Sequence, residues 1–324
     1  LREKHSLTRS VVGFSGKLFR FEVKVWIKML NRLSVLFITG LLFFSGAVEA
    51  QSTAEIKAVE DSLLVTADSM YNAFIPDERP GYTQQFVKQL IRALKYPGSY
   101  DYPFERLATK INIIYPDDKK FRIFNWSISP NDVTLRYYGA IQMPGEKLKL
   151  YPLIDYTSQL GKGAEDSVLT GGKWYGVLYY KIIPHEVDGQ TIYTMFGKDA
   201  SNAISDKKVL DAMVLTENGP VFGAPIFGIR SQNYPSERVK RFIIEYKKGV
   251  QASMNWDADM NAIFFDRLAS DVNDPNRKYT FIPTGQYDGF RWNDGNWTFV
   301  QDLIPVDALK DGQAPTPVPV KGKE

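Results

Sequence analysis

Residues Trp174–Gly197 read WYGVLYYKIIPHEVDGQTIYTMFG, two runs of β-branched and aromatic residues on either side of Val187-Asp188-Gly189. Asp-Gly between alternating runs is the turn chemistry of a two-stranded antiparallel hairpin, because both residues tolerate the left-handed backbone such turns need. We therefore expect strands over Trp174–Pro184 and Gln190–Gly197. The pattern extends in both directions. Toward the N-terminus, strands are expected at Ile111–Tyr115, Phe121–Ser127, Val133–Gln142 and Lys147–Asp155. Toward the C-terminus they are expected at Lys207–Thr216, Arg238–Tyr246, Val250–Trp256, Ala262–Leu268, Gly289–Trp292 and Trp297–Asp302. Turns at Lys247-Lys248-Gly249, Asp257-Ala258-Asp259 and Asn293-Asp294-Gly295 are short enough for further hairpins. Strands this frequent, without long intervening helices, exclude a doubly wound α/β sheet. The expected class is mainly β, an antiparallel hairpin meander forming a sandwich or barrel over residues 105–304, with a small propeller as the alternative.

Upstream of residue 105 the period is different. Ile56, Val59, Leu63, Ala67, Met70, Tyr71 and Phe74 recur every three or four residues, as do Phe86, Val87, Leu90, Ile91 and Leu94. Both patterns mark one apolar face of a helix. With a turn at Pro76–Gly81, residues 51–104 are expected to form an α-helical hairpin packed on the β-domain.

The ends carry different signals. Met29–Ala50, MLNRLSVLFITGLLFFSGAVEA, has the basic, apolar and small-residue segments of a cleavable signal peptide, with Gln51 as the mature N-terminus. Its apolar run is shorter than the roughly 20 residues of a membrane anchor, which is the competing reading. Residues 1–28 contain no Met and read as upstream translated sequence; residues 305–324, rich in proline, read as a disordered tail. Residues 1–50 hold eight of the 40 Lys and Arg and three of the 37 Asp and Glu, so the remainder keeps 32 basic and 34 acidic side chains, a net charge of −2. A chain so nearly neutral lacks the electrostatic footprint of nucleic-acid binders, and no nucleic-acid partner is expected. The signal peptide implies export to the periplasm or beyond; with no Cys the chain is not expected to be a lipoprotein and must hold together by its core alone. No stable membrane span is expected after cleavage.

Candidate chemistry is sparse. Aromatic residues make up 14% of the chain and cluster around the hairpins, where they serve either as core or as stacking surface for sugars. Trp292 and Trp297 flank a turn at one end of the sheet and are the candidates for exposed, ligand-binding rings. Glu245, Asp155 and Asp266 lie within apolar runs; each is either a buried acid or the partner of a nearby Arg241, Arg136 or Arg267. Asp257-Ala258-Asp259 suggests a calcium loop, but Ala262 and Leu268 stand where that loop needs Gly and Glu, so a hairpin turn is the better reading. Asp271, Asn273 and Asp274 read as an ordinary solvated loop. His185 reads as a solvated turn residue. No catalytic residue, metal or cofactor is assigned, because no G-x-S-x-G, Walker or dinucleotide motif occurs after residue 50.

Four stretches carry a resemblance: Phe121–Trp126 (FRIFNW) with Gly139-Ala140-Ile141-Gln142, Trp174–Tyr180 (WYGVLYY) with Tyr193–Gly197, Arg241–Tyr246 with Phe264–Leu268 (FFDRL), and Tyr287–Trp297 (YDGFRWNDGNW). Together they resemble an uncharacterised family of exported proteins of Bacteroidetes-type bacteria to which no activity is assigned. The resemblance therefore implies an exported β-protein and transfers no functional residue. The expected function is that of a non-enzymatic binding or structural module of the cell envelope, with an envelope protein or glycan as partner. The alternative is a carbohydrate-binding or carbohydrate-active protein that uses exposed aromatics.

Overall fold

The computed structural model describes residues 51–231 and 234–305. The expectations for residues 1–28, for the signal peptide at 29–50 and for the tail beyond residue 305 lie outside the described residues. Within them the protein is mainly β, sandwich-like, with an N-terminal pair of helices.

Helix α1 spans residues 51–72 and α2 spans Arg79–Leu94. Pro80 sits in the first turn of α2, where the missing N–H costs nothing, so the helix begins inside the segment expected to be a turn. Ile56, Val59, Leu63, Ala67 and Met70 of α1 meet Phe86, Leu90, Ala93 and Leu94 of α2 in one buried core. Each of the Val, Leu, Ile, Met and Phe side chains among them stabilises by about 1.5–3 kcal/mol on burial. The same core takes in Phe124, Trp126 and Ile128, so the helices cover one face of the first sheet.

That sheet is an antiparallel meander of β1 (Asn112–Ile114), β2 (Arg122–Ile128), β3 (Arg136–Met143) and β4 (Lys149–Ile154). Period-2 alternation along β2 turns Phe124, Trp126 and Ile128 to the helices and Ile123 to the opposite side. There a second core joins Ile123, Tyr137, Ile141 and Leu153 to the second sheet. This sheet is ordered β5 (Leu169–Thr170), β9 (Gly219–Phe222), β8 (Ser205–Thr216), β7 (Gln190–Asp199), β6 (Leu178–Val187). β12 (Arg241–Lys247) pairs with β8 beside that path.

The second sheet is buried on both faces. Tyr193, Met195, Val209 and Met213 face the first sheet, and Ile192, Phe196, Leu210 and Ala212 face the third. The third sheet runs β11 (Tyr234–Val239), β10 (Phe227–Ser231), β16 (Asn296–Ile304), β15 (Phe281–Asn293), β14 (Ala262–Ser270), β13 (Met254–Asp257). The molecule is thus a stack of helices and three open sheets rather than a barrel or propeller.

Three departures from the sequence reading have clear causes. β10 pairs parallel with β16 through Phe227↔Trp297, a long-range contact that no local pattern announces. β5, β9 and β10 were not expected, because β5 is only two residues long and Gly219, Gly223, Gly228 and nearby prolines disguise the others as loop. The single strand expected at Arg238–Tyr246 is two, broken at Lys240 where the chain passes from the third sheet to the second.

Candidate functional site

Trp297 is not an exposed ring. It is fully buried, and its Nε1 donates a 2.8 Å hydrogen bond to Thr194 Oγ1 on β7. The third sheet lies over the central one, which puts the β15–β16 hairpin against β6 and β7 instead of at a free end. Trp292, cross-strand neighbour of Trp297, is half-buried and stacks on His185 at 3.9 Å between ring centroids, with 16° between the planes. His185 is correspondingly not a solvated turn residue. Its Nε2 is buried without a hydrogen-bond partner, and desolvation pushes its pKa down to about 4.

The three buried-acid candidates find partners other than the neighbouring arginines. Asp155 accepts from the backbone N–H groups of Tyr137 (3.1 Å) and Thr157 (3.0 Å), and Asp266 from that of Ser253 (2.6 Å). Glu245 accepts from Ser205 Oγ at 2.6 Å. Arg241 instead grips Asp211, and Arg267 grips Asp288 and Asp302. Asp257 accepts the N–H of Met260 at 2.9 Å, closing the β13–β14 turn. Among the described residues, no cluster of three His, Asp or Glu is placed to hold a metal ion.

Among these acids, Glu245 opens onto a cleft. The cleft is about 510 Å³ and is bounded by the segment between β4 and β5, by β12, and by the loop between β14 and β15. Thr157, Ser158, Ala164 and Glu165 come from the first; Glu245 comes from the second, with Lys207 beside it on β8; Asn276, Lys278 and Tyr279 come from the third. Tyr175 forms a buried floor.

Local structure fixes each wall. The β4–β5 segment is pinned at one end, where Thr157 Oγ1 accepts the Gly176 N–H at 2.7 Å. Gly176 is obligatory for that closeness, since a Cβ there would lie 2.6 Å from Asp155 Oδ2. At the other end the N–H groups of Lys240 and Arg241 both donate to the Glu165 carbonyl, at 3.1 and 3.0 Å. The Glu165 carboxylate has the Ile243 N–H of β12 near enough to favour its charged form. Its pKa is raised, chiefly by burial, while Lys278 and the Ile243 N–H act in the opposite sense.

The β12 wall follows from register. Lys207 and Glu245 are directly opposed on β8 and β12, so both project to the same face. Lys207 Nζ lies 3.6 Å from Asp199 Oδ2, and Asp199 also accepts from Tyr175 at 3.0 Å and Tyr137 at 3.3 Å. Burial, and then the Asp199 charge, drive the Tyr175 phenol pKa well up, so it remains a proton donor. On the third wall, Lys247 reaches Asp271 at 2.7 Å and ties the β14–β15 loop to β12. Neither Glu165, Glu245 nor Lys278 has an ion-pair partner within 4 Å among the described residues.

Chemically, the cleft offers acceptor-only carboxylates, donor-only ammonium groups and one amide on opposed walls. Sequence reasoning singled out Glu245 but missed Glu165, Lys207, Asn276, Lys278 and Tyr279, which are scattered over 115 residues and share no motif. Comparison of the chain with protein-family models, with curated proteins and with solved structures gives no match.

Proposed function

We propose that this protein is an exported component of the cell envelope that works as a binding module, and that the cleft between Glu165, Glu245 and Lys278 receives its ligand. The observation that carries the reading is the set of charged side chains facing one concave space without ion pairs to one another. Charged groups on a protein's own surface are ordinarily neutralised by neighbours or left on convex, solvated faces. Here Glu245 is held by the Ser205 hydroxyl, and the Glu165 backbone by the N–H groups of Lys240 and Arg241, which is the pre-organisation that lowers the cost of binding. Export rests on the Met29–Ala50 segment, and membership of the exported family resembled by the four sequence stretches belongs to the same proposal. The pair Trp292 and Trp297 is a poor platform for a ligand, since the second ring is enclosed.

Two measurements test the proposal. The N-terminal mass of the protein recovered from the envelope fraction of cells should correspond to a chain starting at Gln51; a cytosolic chain retaining residues 29–50 would overturn export. For the cleft, the purified protein is screened by thermal midpoint against soluble glycans, peptidoglycan fragments and short peptides. A ligand at about 100 times its Kd stabilises by about 2.7 kcal/mol, a shift of a few degrees. A shift seen in the parent and lost in Glu245→Gln is the expected result. An equal shift in both proteins would place binding elsewhere.

A further inference from the structure

We propose that the ligand of this cleft is a neutral polyhydroxylated compound, a saccharide or short glycan, held by its hydroxyl groups; the inference rests on the cleft being a ligand site. The cleft is charge-balanced, with Glu165 and Glu245 facing Lys207 and Lys278. A phosphate or carboxylate ligand would meet two carboxylates, and a polycation would meet two ammonium groups, so neither sign of ligand is favoured.

Charge is also partly answered already. Lys207 has Asp199 at 3.6 Å, and Glu245 has the Ser205 hydroxyl at 2.6 Å. What these groups have left over is hydrogen-bonding capacity rather than uncompensated charge. A carboxylate only accepts and an ammonium only donates, whereas a sugar hydroxyl does both at once. A hydroxyl placed between Lys207 and Glu245, opposed across two strands, accepts from the first and donates to the second; the same holds between Lys278 of the β14–β15 loop and Glu165 of the β4–β5 segment. Asn276 adds an amide, which also donates and accepts. Tyr279, 40% exposed on the rim, presents a ring suited to the apolar face of a pyranose. The volume, about 510 Å³, lies within the range of roughly 300–1,000 Å³ usual for small-molecule sites.

The test is amide chemical-shift mapping on the purified full chain. The probes are glucose-, N-acetylglucosamine-, mannose- and xylose-based trisaccharides, trialanine and inorganic phosphate, each at roughly 10 mM, ten times the Kd of even a 1 mM site. At least one trisaccharide is expected to move the signals of residues 157–165, 205–207, 243–245 and 276–279 with saturation. Tyr279→Ala and Glu245→Gln, with otherwise unchanged spectra, should each weaken that binding about tenfold or more, as expected for losing a ring contact or a charge-assisted hydrogen bond. If trialanine or phosphate moves these signals and no saccharide does, the ligand class is wrong while the cleft stands as a site. If a saccharide moves only signals elsewhere, both the ligand class and the cleft fail. No response from any saccharide overturns the proposal.

Discussion

Lys207 and Glu245 face each other directly across β8 and β12, yet each turns to a different partner, Lys207 to Asp199 and Glu245 to Ser205. Opposed charges in a cross-strand pair ordinarily contribute up to about 1 kcal/mol. Here the pair is open, so a double-mutant cycle with Lys207→Met and Glu245→Gln, followed by urea unfolding, should give a coupling energy below about 0.5 kcal/mol. A coupling of 1 kcal/mol or more would mean that the two groups bridge in solution and close the cleft.

Arg241 and Asp211 behave in the opposite way. Both are at most 1% exposed and joined by two hydrogen bonds of 2.8 and 3.0 Å. Burial pushes the Asp211 pKa up, while Arg241 and the N–H groups of Ala212 and Gly223 favour the carboxylate. Removing one partner leaves a buried charge without its counter-charge. Arg241→Met should therefore cost about 3–5 kcal/mol, and Arg241→Met with Asp211→Leu should cost less than Arg241→Met alone. Denaturant midpoints of the two variants decide this; equal losses would show that the arginine's contact with the Ala164 carbonyl, not the pair, carries the stability.

His185 gives the protein an acid-sensitive element. Its folded-state pKa, about 4, lies below the unfolded value of about 6.5, so between these values the unfolded chain binds the proton that the folded one refuses. Stability from this residue is complete above about pH 6.5 and is lost as pH falls toward 4. The thermal midpoint should drop between pH 7 and 4.5, and His185→Phe should flatten that part of the profile. An unchanged slope in the variant would assign the effect to the carboxylates.

Thr194→Val keeps the shape of the side chain beneath Trp297 but removes the acceptor of its indole N–H. A buried donor left alone costs about 1–3 kcal/mol, and the indole proton signal should move upfield. Loss of that size without a change in the indole signal would mean that the hydroxyl serves another group.

Much of the fold was legible in the sequence and little of the site. The helical faces could be read because α1 and α2 pack on one side only, so Ile56 to Met70 keep a clean helical period. The hairpin around Asp188-Gly189 was equally plain, since its turn chemistry is local. β9 and β10 were hidden because each is four or five residues long and carries a Gly, β9 also a Pro. The burial of Trp297 and His185 was hidden for another reason: what covers them is distant in sequence, Thr194 on β7 beneath Trp297 and Trp292 on β15 over His185. The cleft could not be read at all, because Glu165, Lys207, Glu245 and Lys278 become neighbours only when a crossover segment, two paired strands and a distant loop meet. Glu245 alone left a trace, as a carboxylate in an otherwise apolar run.

The parallel pairing of β10 with β16 governs the order in which the chain can mature. Phe227 must wait for Trp297, which follows it by 70 residues, and β15 lacks one neighbour until the same segment arrives. Closing so large a loop is entropically costly and slow compared with forming the upstream hairpins. Until that closure the aromatic faces of Phe227 and Phe290, both fully buried at the end, stand open to other chains. The last strand is thus the kinetic latch of the molecule, and truncating it would yield an aggregation-prone intermediate rather than a smaller stable protein.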